Sequence, residues 1–123
     1  MIRPAALFAC LVLLAPGAAA AADAAAGQAI FARCRICHNV QAGAPNTVGP
    51  NLHGVFGRKA GSAPNFLYSA AMKDSSIVWD DETLRKYLQN PKDFIPGNKM
   101  AFPGIKDENE ISNLLAYLHQ ATQ

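Results

Sequence analysis

The chain has 123 residues, half of them hydrophobic, with eleven Lys/Arg against nine Asp/Glu. That length suits one small domain and excludes a large catalytic domain joined to a regulatory one. A net charge of +2 is far below the cation excess that bulk nucleic-acid binding needs, and three cysteines are too few for a disulfide scaffold.

Arg3 gives the N-terminus a positive charge, and Ala5 to Ala15 follow as an apolar run holding Leu7, Phe8, Leu11, Val12, Leu13 and Leu14. Pro16-Gly17 break the run, and Ala18 to Ala22 supply small residues ahead of Asp23. This is the anatomy of a cleaved export signal. The run falls well short of the roughly 20 apolar residues that span a bilayer. The expectation is a signal peptide over residues 1–22 and one exported domain over 23–123. A short buried helix and an uncleaved anchor are the competing readings of the same run. Cys10 leaves with the leader, so Cys34 and Cys37 are the cysteines of the mature chain, in an oxidising compartment.

Gly27, Ile30, Phe31 and Cys34 share one helical face, which predicts a helix from about Asp23 to the first cysteine. Residues 39–68 lack sustained periodicity and are rich in Gly and Pro, a loop long enough to signal function. Asp80 is a good N-cap for a helix to about Asn90, with Leu84, Tyr87 and Leu88 inward. Asn90-Pro91 should end it. A second irregular stretch covers Pro96 to Lys106. Asp107 and Glu110 then have capping-box spacing ahead of a stripe of Ile111, Leu114, Leu115 and Leu118. No alternating pattern competes, so the fold class is all-α: three main helices and long Gly/Pro-rich loops.

Cys34-Arg35-Ile36-Cys37-His38 reads C-x-x-C-H, the spacing of c-type haem attachment. Two thiols one helical turn apart can add to the two vinyl groups of a haem, and the next imidazole then reaches the iron from the same side. A thioredoxin-like dithiol would want a βαβ setting, which is not visible. A zinc site would need more ligands than His53 and His119 offer, and a plain disulfide is the remaining alternative. A haem also explains the loops, since they can wrap a large flat body that completes a small core. The mature chain has two candidate thioether ligands. Met100 lies in a Gly/Pro-bounded loop and is the better one; Met72 is the competitor, with packing as its bland role.

Several further stretches complete a pattern: Gly49-Pro50-Asn51-Leu52-His53-Gly54, Phe56-Gly57-Arg58-Lys59, Trp79, Tyr87-Leu88, Asn90-Pro91-Lys92, Ile95-Pro96-Gly97 with Lys99-Met100, and Leu115-Ala116-Tyr117-Leu118. With them the chain resembles class I cytochrome c, of the mitochondrial type and its short periplasmic bacterial relatives. The resemblance runs from about Gly27 to Thr122 and makes residues 23–123 a cytochrome c domain. It implies His38 and Met100 as the iron ligands of one haem c, covalent through Cys34 and Cys37. It implies Pro50 as acceptor of the imidazole N–H, and Arg58, Tyr68 and Trp79 as propionate partners. Tyr87 would sit near the methionine sulfur, and Phe102 would cover the haem edge. Two departures stand out. Met72 occupies a position usually Asn, and Asn98 replaces a propionate-contacting Thr whose role its amide could take.

The function these residues imply is a soluble, periplasmic one-electron carrier, not an enzyme. Its partners would be membrane redox complexes (a cytochrome bc complex, a terminal oxidase or a photosynthetic reaction centre) or periplasmic dehydrogenases. The chain is expected to be a monomer. The alternative is a haem peroxidase or gas-binding protein, which would need a vacated sixth position. Arg33, Arg35, Lys92, Lys99 and Lys106 are the cations nearest the attachment motif and the Met100 loop in sequence, while Asp74, Asp80, Asp81 and Glu82 lie elsewhere. That separation could steer an acidic partner to the haem edge.

Overall fold

A computed structural model describes residues 21–123, together with Met1 and Val12. The export-signal reading of residues 1–22 therefore falls almost wholly outside the described residues. Among the described residues there are five helices and no strand, an all-α fold: α1 Ala24–Phe31, α2 Ala70–Asp74, α3 Asp81–Gln89, α4 Pro91–Phe94 and α5 Glu108–Ala121. None of them is long and apolar enough to cross a membrane.

The three main helices follow the sequence reading, with differences at their ends. In α1 the Asp23 carboxylate accepts from the Ala25 and Ala26 amides, and the helix stops at Phe31, three residues before the cysteine. In α3 the Asp80 side chain and Thr83 cap each other reciprocally. At α5 only half of the expected capping box forms. Asp107 accepts from the Glu110 amide at 2.9 Å, but the Glu110 carboxylate turns to Arg33 at 3.4 Å instead of the cap. Asn90-Pro91 does end α3, and Pro91 then starts α4 at the position where its missing N–H costs nothing. The short helices α2 and α4 lack the length to show periodicity in the sequence.

The framework is the crossing of α1 on α5. Phe31 meets Tyr117 with ring centroids 5.3 Å apart, and the Asp23 amide donates to Asn113 Oδ1 at 2.8 Å. The crossing is close because residue 27 is glycine: a Cβ there would lie 1.9 Å from the Asn113 carbonyl oxygen. Phe31, Leu84, Tyr87, Ile95, Ile105, Ile111, Leu114, Leu115 and Leu118 form one buried core with Val55, Ala60 and Trp79.

The long loop is ordered by asparagine rather than by helix or sheet. Asn51 Nδ2 donates to the Gln41 and Ala44 carbonyls, each at 2.8 Å. Asn46 accepts from the Asn51 amide at 2.8 Å and donates to the Pro64 carbonyl at 3.0 Å. Among the described residues a single antiparallel bridge, Lys59 to Val78, brings the loop back to the start of α3.

Candidate functional site

Beyond Phe31 the chain keeps winding in tight turns. The Cys34 and Arg35 amides donate to the Phe31 carbonyl at 2.8 and 3.0 Å, and the Cys37 and His38 amides donate to the Cys34 carbonyl at 3.0 and 2.9 Å. This winding turns Cys34, Cys37 and His38 into one cavity. Cys34 and Cys37 are not joined as a disulfide. Burial pushes the Cys34 thiol above its ordinary pKa, and the nearby Arg33 charge opposes this.

His38 is held on two sides. Its Nδ1–H donates to the Pro50 carbonyl at 2.8 Å, which fixes the tautomer and leaves the lone pair on Nε2. Burial pulls its pKa below the ordinary imidazole value, and the Arg58 charge acts in the same direction against the Pro50 bond. The lowered value favours the neutral ring, which is the form able to ligate a metal. Its face lies on Gly49, where a Cβ would come within 2.4 Å of Cε1.

The cavity is lined mostly by carbon, and its volume is about 240 Å³. Of the residues singled out in the sequence, Cys34, Cys37, His38, Pro50, Arg58, Tyr68, Trp79, Tyr87, Met100 and Phe102 all line it. Met72 lines it too, so both candidate thioethers face the same space. Trp79 and Arg58 are brought together by paired backbone, with the Trp79 amide donating to the Arg58 carbonyl at 2.9 Å. Arg58 spends two N–H groups on the His53 and Asn51 carbonyls at 3.1 and 3.2 Å. Tyr68 accepts from the Ala63 amide at 3.1 Å, which leaves its O–H free to donate. The Tyr87 hydroxyl lies 3.9 Å from the Met100 sulfur, and burial pushes its pKa up to about 12, so it stays a donor. Asn98 is the exception: it is not among the cavity-lining residues, and its amide is engaged with its own loop, the end of α4 and Tyr87.

The family model for cytochrome c matches residues 24–122. The chain belongs to the cytochrome c family. It is 49% identical to a cytochrome c2 of Blastochloris viridis over 114 residues, covering 93% of this chain and 88% of that protein. It is 52% identical to a cytochrome c-550 of Bradyrhizobium diazoefficiens over 97 residues, 79% of this chain and 71% of the other. A cytochrome c of Nigella damascena is 48% identical over 105 residues, 85% of this chain and 95% of that one. As a cytochrome c, the chain carries covalently attached haem c and is a haem-based electron carrier. The cavity fits that cofactor: two thiols not joined as a disulfide, an imidazole and two thioethers bound an apolar space, and Gly49 gives the imidazole room to lie flat.

Three contributors to this cytochrome c site carry no role in the sequence reading. Gly49 is the platform for the His38 ring. Thr47 donates its hydroxyl to the Cys37 carbonyl at 2.7 Å, tying the loop to the motif. Asn46 clips the two arms of the loop. The signal available for Gly49 was its place beside Pro50. For Thr47 and Asn46 no local pattern announces the contact.

Proposed function

We propose that this chain is an exported one-electron carrier in which His38 and Met100 ligate a single haem c attached through Cys34 and Cys37. The haem supplies an Fe(III)/Fe(II) couple. The chain supplies two fixed ligand groups of different hardness. The Nδ1–H bond to Pro50 carries the reading most directly, because it dedicates Nε2 of His38 to a metal. Met100 offers a soft thioether, which favours the ferrous state and raises the potential. With both ligands supplied by the protein, no position is kept for substrate, which favours a carrier over a peroxidase or gas-binding protein. In this reading Arg58, Tyr68 and Trp79 hold the propionates and Phe102 covers the edge, which their shared place in the cavity lining supports.

The leader-like residues 1–22 support export to the periplasm. The partners that fit are membrane redox complexes, of the cytochrome bc, terminal oxidase or photosynthetic reaction-centre kind, or periplasmic dehydrogenases. Arg33 and Lys99 line the cavity mouth and would face such a partner. The experiment that tests the ligand set is a pair of substitutions. Met100→Ala should abolish the far-red methionine-to-iron band of the ferric protein and admit external ligands, whereas Met72→Ala should retain the band. The reverse pattern overturns the assignment.

A further inference from the structure

The geometry points to Asn98 as the positioning residue for Met100: its side-chain amide clips the methionine loop to the end of α4 and governs how often the sulfur leaves the iron. This rests on the reading of Met100 as a ligand. It assigns Asn98 a role distinct from contact with the haem.

Met100 lies in a stretch without helix or strand, so its position depends on individual bonds. Between Gly97 and Phe102, most of the hydrogen bonds among the described residues that tie this loop to the helices run through the Asn98 side chain; beside them stand the Asn98 amide to the Ile95 carbonyl at 3.1 Å and the Tyr87 hydroxyl to the Met100 sulfur at 3.9 Å. Its Nδ2 donates to the Pro91 and Ile95 carbonyls, each at 2.8 Å. Both carbonyls belong to α4 and its C-cap. Its Oδ1 accepts from the Met100 amide at 3.0 Å and from the Tyr87 hydroxyl of α3 at 3.3 Å. The amide orientation is fixed by these partners. A flipped amide would set its NH₂ against the Met100 N–H, and its oxygen against two carbonyls. All the strong donor and acceptor positions of one small side chain are thus spent on fixing the residue two places ahead.

The Tyr87 contact adds a second effect. The hydroxyl has one proton and two acceptors in reach, Asn98 Oδ1 at 3.3 Å and the Met100 sulfur at 3.9 Å. An amide oxygen is the stronger acceptor and the nearer one. Asn98 therefore draws the O–H away from the sulfur, whose lone pairs stay available to the iron.

The test uses the ferric holoprotein and imidazole as the competing ligand. Imidazole binds when the Met100 loop opens, so its apparent affinity, read from loss of the far-red band, reports the opening equilibrium. Asn98→Ala removes four hydrogen bonds and should raise that affinity by about tenfold to a hundredfold. Asn98→Ser keeps a smaller donor and acceptor and should fall between. Thr122→Ala supplies the comparison for general loss of stability: it deletes a buried hydroxyl bonded to the Leu118 carbonyl at 2.7 Å, on the last turn of α5. It should lower the melting temperature and leave imidazole affinity within about twofold. The Met100 amide in the unsubstituted protein should exchange slowly with deuterium, with an opening constant matching that from imidazole, whether or not Asn98→Ala folds. Free exchange of that amide, or equal imidazole affinities for the Asn98 and Thr122 variants, overturns the clip. Failure of the ligand reading looks different: the far-red band would then survive Met100→Ala.

Discussion

Gly27→Ala should destabilise the protein even though alanine is the better helix former. On propensity alone the change should help by about 1 kcal/mol. Against that stands the α1–α5 crossing. The new Cβ would lie 1.9 Å from the Asn113 carbonyl oxygen, 2.5 Å from its carbon and 2.9 Å from Tyr117 Cβ. Two of these atoms are helix backbone and cannot swing aside. Restoring an ordinary contact requires α1 to back away by roughly 1.5 Å. A gap of even 0.5–1 Å forfeits about a quarter to a half of each dispersion well along the interface. Phe31, only 2% exposed, is the side chain that loses most. Truncating a buried Phe altogether costs about 3–5 kcal/mol, and overpacking typically about 1–3 kcal/mol. With overpacking at the upper end of that range for so close a backbone contact, a net loss of about 2 kcal/mol remains after the propensity gain. For a domain of this size that lowers Tm by about 8–16 °C. Thermal unfolding of the holoprotein, followed by circular dichroism, measures it. An unchanged or raised Tm would refute the account of Gly27 as the residue that sets the crossing.

Gly49→Ala should push the His38 ring off its platform, since the added Cβ would meet Cε1 at 2.4 Å. The 2.8 Å bond to Pro50 should lengthen or break, seen as loss of a slowly exchanging Nδ1 proton by NMR. Asp80 is held below the ordinary carboxyl pKa by the Thr83 amide and hydroxyl, so the stability that its charge contributes is present above the unfolded value of 3.8 and is lost as pH falls through the lower folded value. The Tm difference between the unsubstituted protein and Asp80→Asn should therefore favour Asp80 at pH 6 and close towards pH 2; a pH-independent difference would contradict this. Association with an oxidase or reaction centre should slow as ionic strength rises, and Lys99→Glu should slow it more than a reversal far from the mouth. The effect should be modest, because the Arg33 charge is paired with Glu110.

The periodic parts of the sequence predicted well. The three main helices and their inward residues follow from spacing and caps, because burial on one face repeats every turn. The C-x-x-C-H motif predicted covalent haem c because its chemistry is local. What sequence could not supply was partnering at long range. Glu110 has the spacing of a cap, yet Arg33, 77 residues away, takes its carboxylate. Asn98 stands where the resemblance suggests contact with the cofactor, yet its amide meets two carbonyls of α4. Asn46 and Asn51 look like ordinary turn residues, and only the fold shows them bridging three segments of the loop. Polar side chains in irregular loops choose partners by three-dimensional proximity, which no period in the sequence encodes.

The cofactor and the core are one unit in this chain, and that has a consequence for the protein before haem is attached. Phe31, Val55, Trp79, Leu84, Tyr87, Leu114 and Leu118 belong to the buried core and also line the cavity. Each therefore packs on protein with one side and needs the flat cofactor on the other. A domain of about 100 residues buries too little surface to tolerate an apolar void of this size. The α1–α5 crossing is different, because Phe31, Gly27, Asn113 and Tyr117 contact each other directly. The loop over residues 39–68 meets the framework at fewer points: Phe56 stacks on His119 of α5 with ring centroids 3.7 Å apart, Val55 and Ala60 join the core, and hydrogen bonds hold much of the remainder over the cavity wall. The double substitution Cys34→Ser, Cys37→Ser, which prevents attachment, should then leave a compact state with residual helix but no cooperative thermal transition and no fixed near-ultraviolet signal. Added free haem should restore part of the transition through His38, since a ligand that binds only the native state stabilises it. A sharp, cooperative transition in the unattached chain would mean that the protein core closes by itself, and that the cavity is a site within a finished fold.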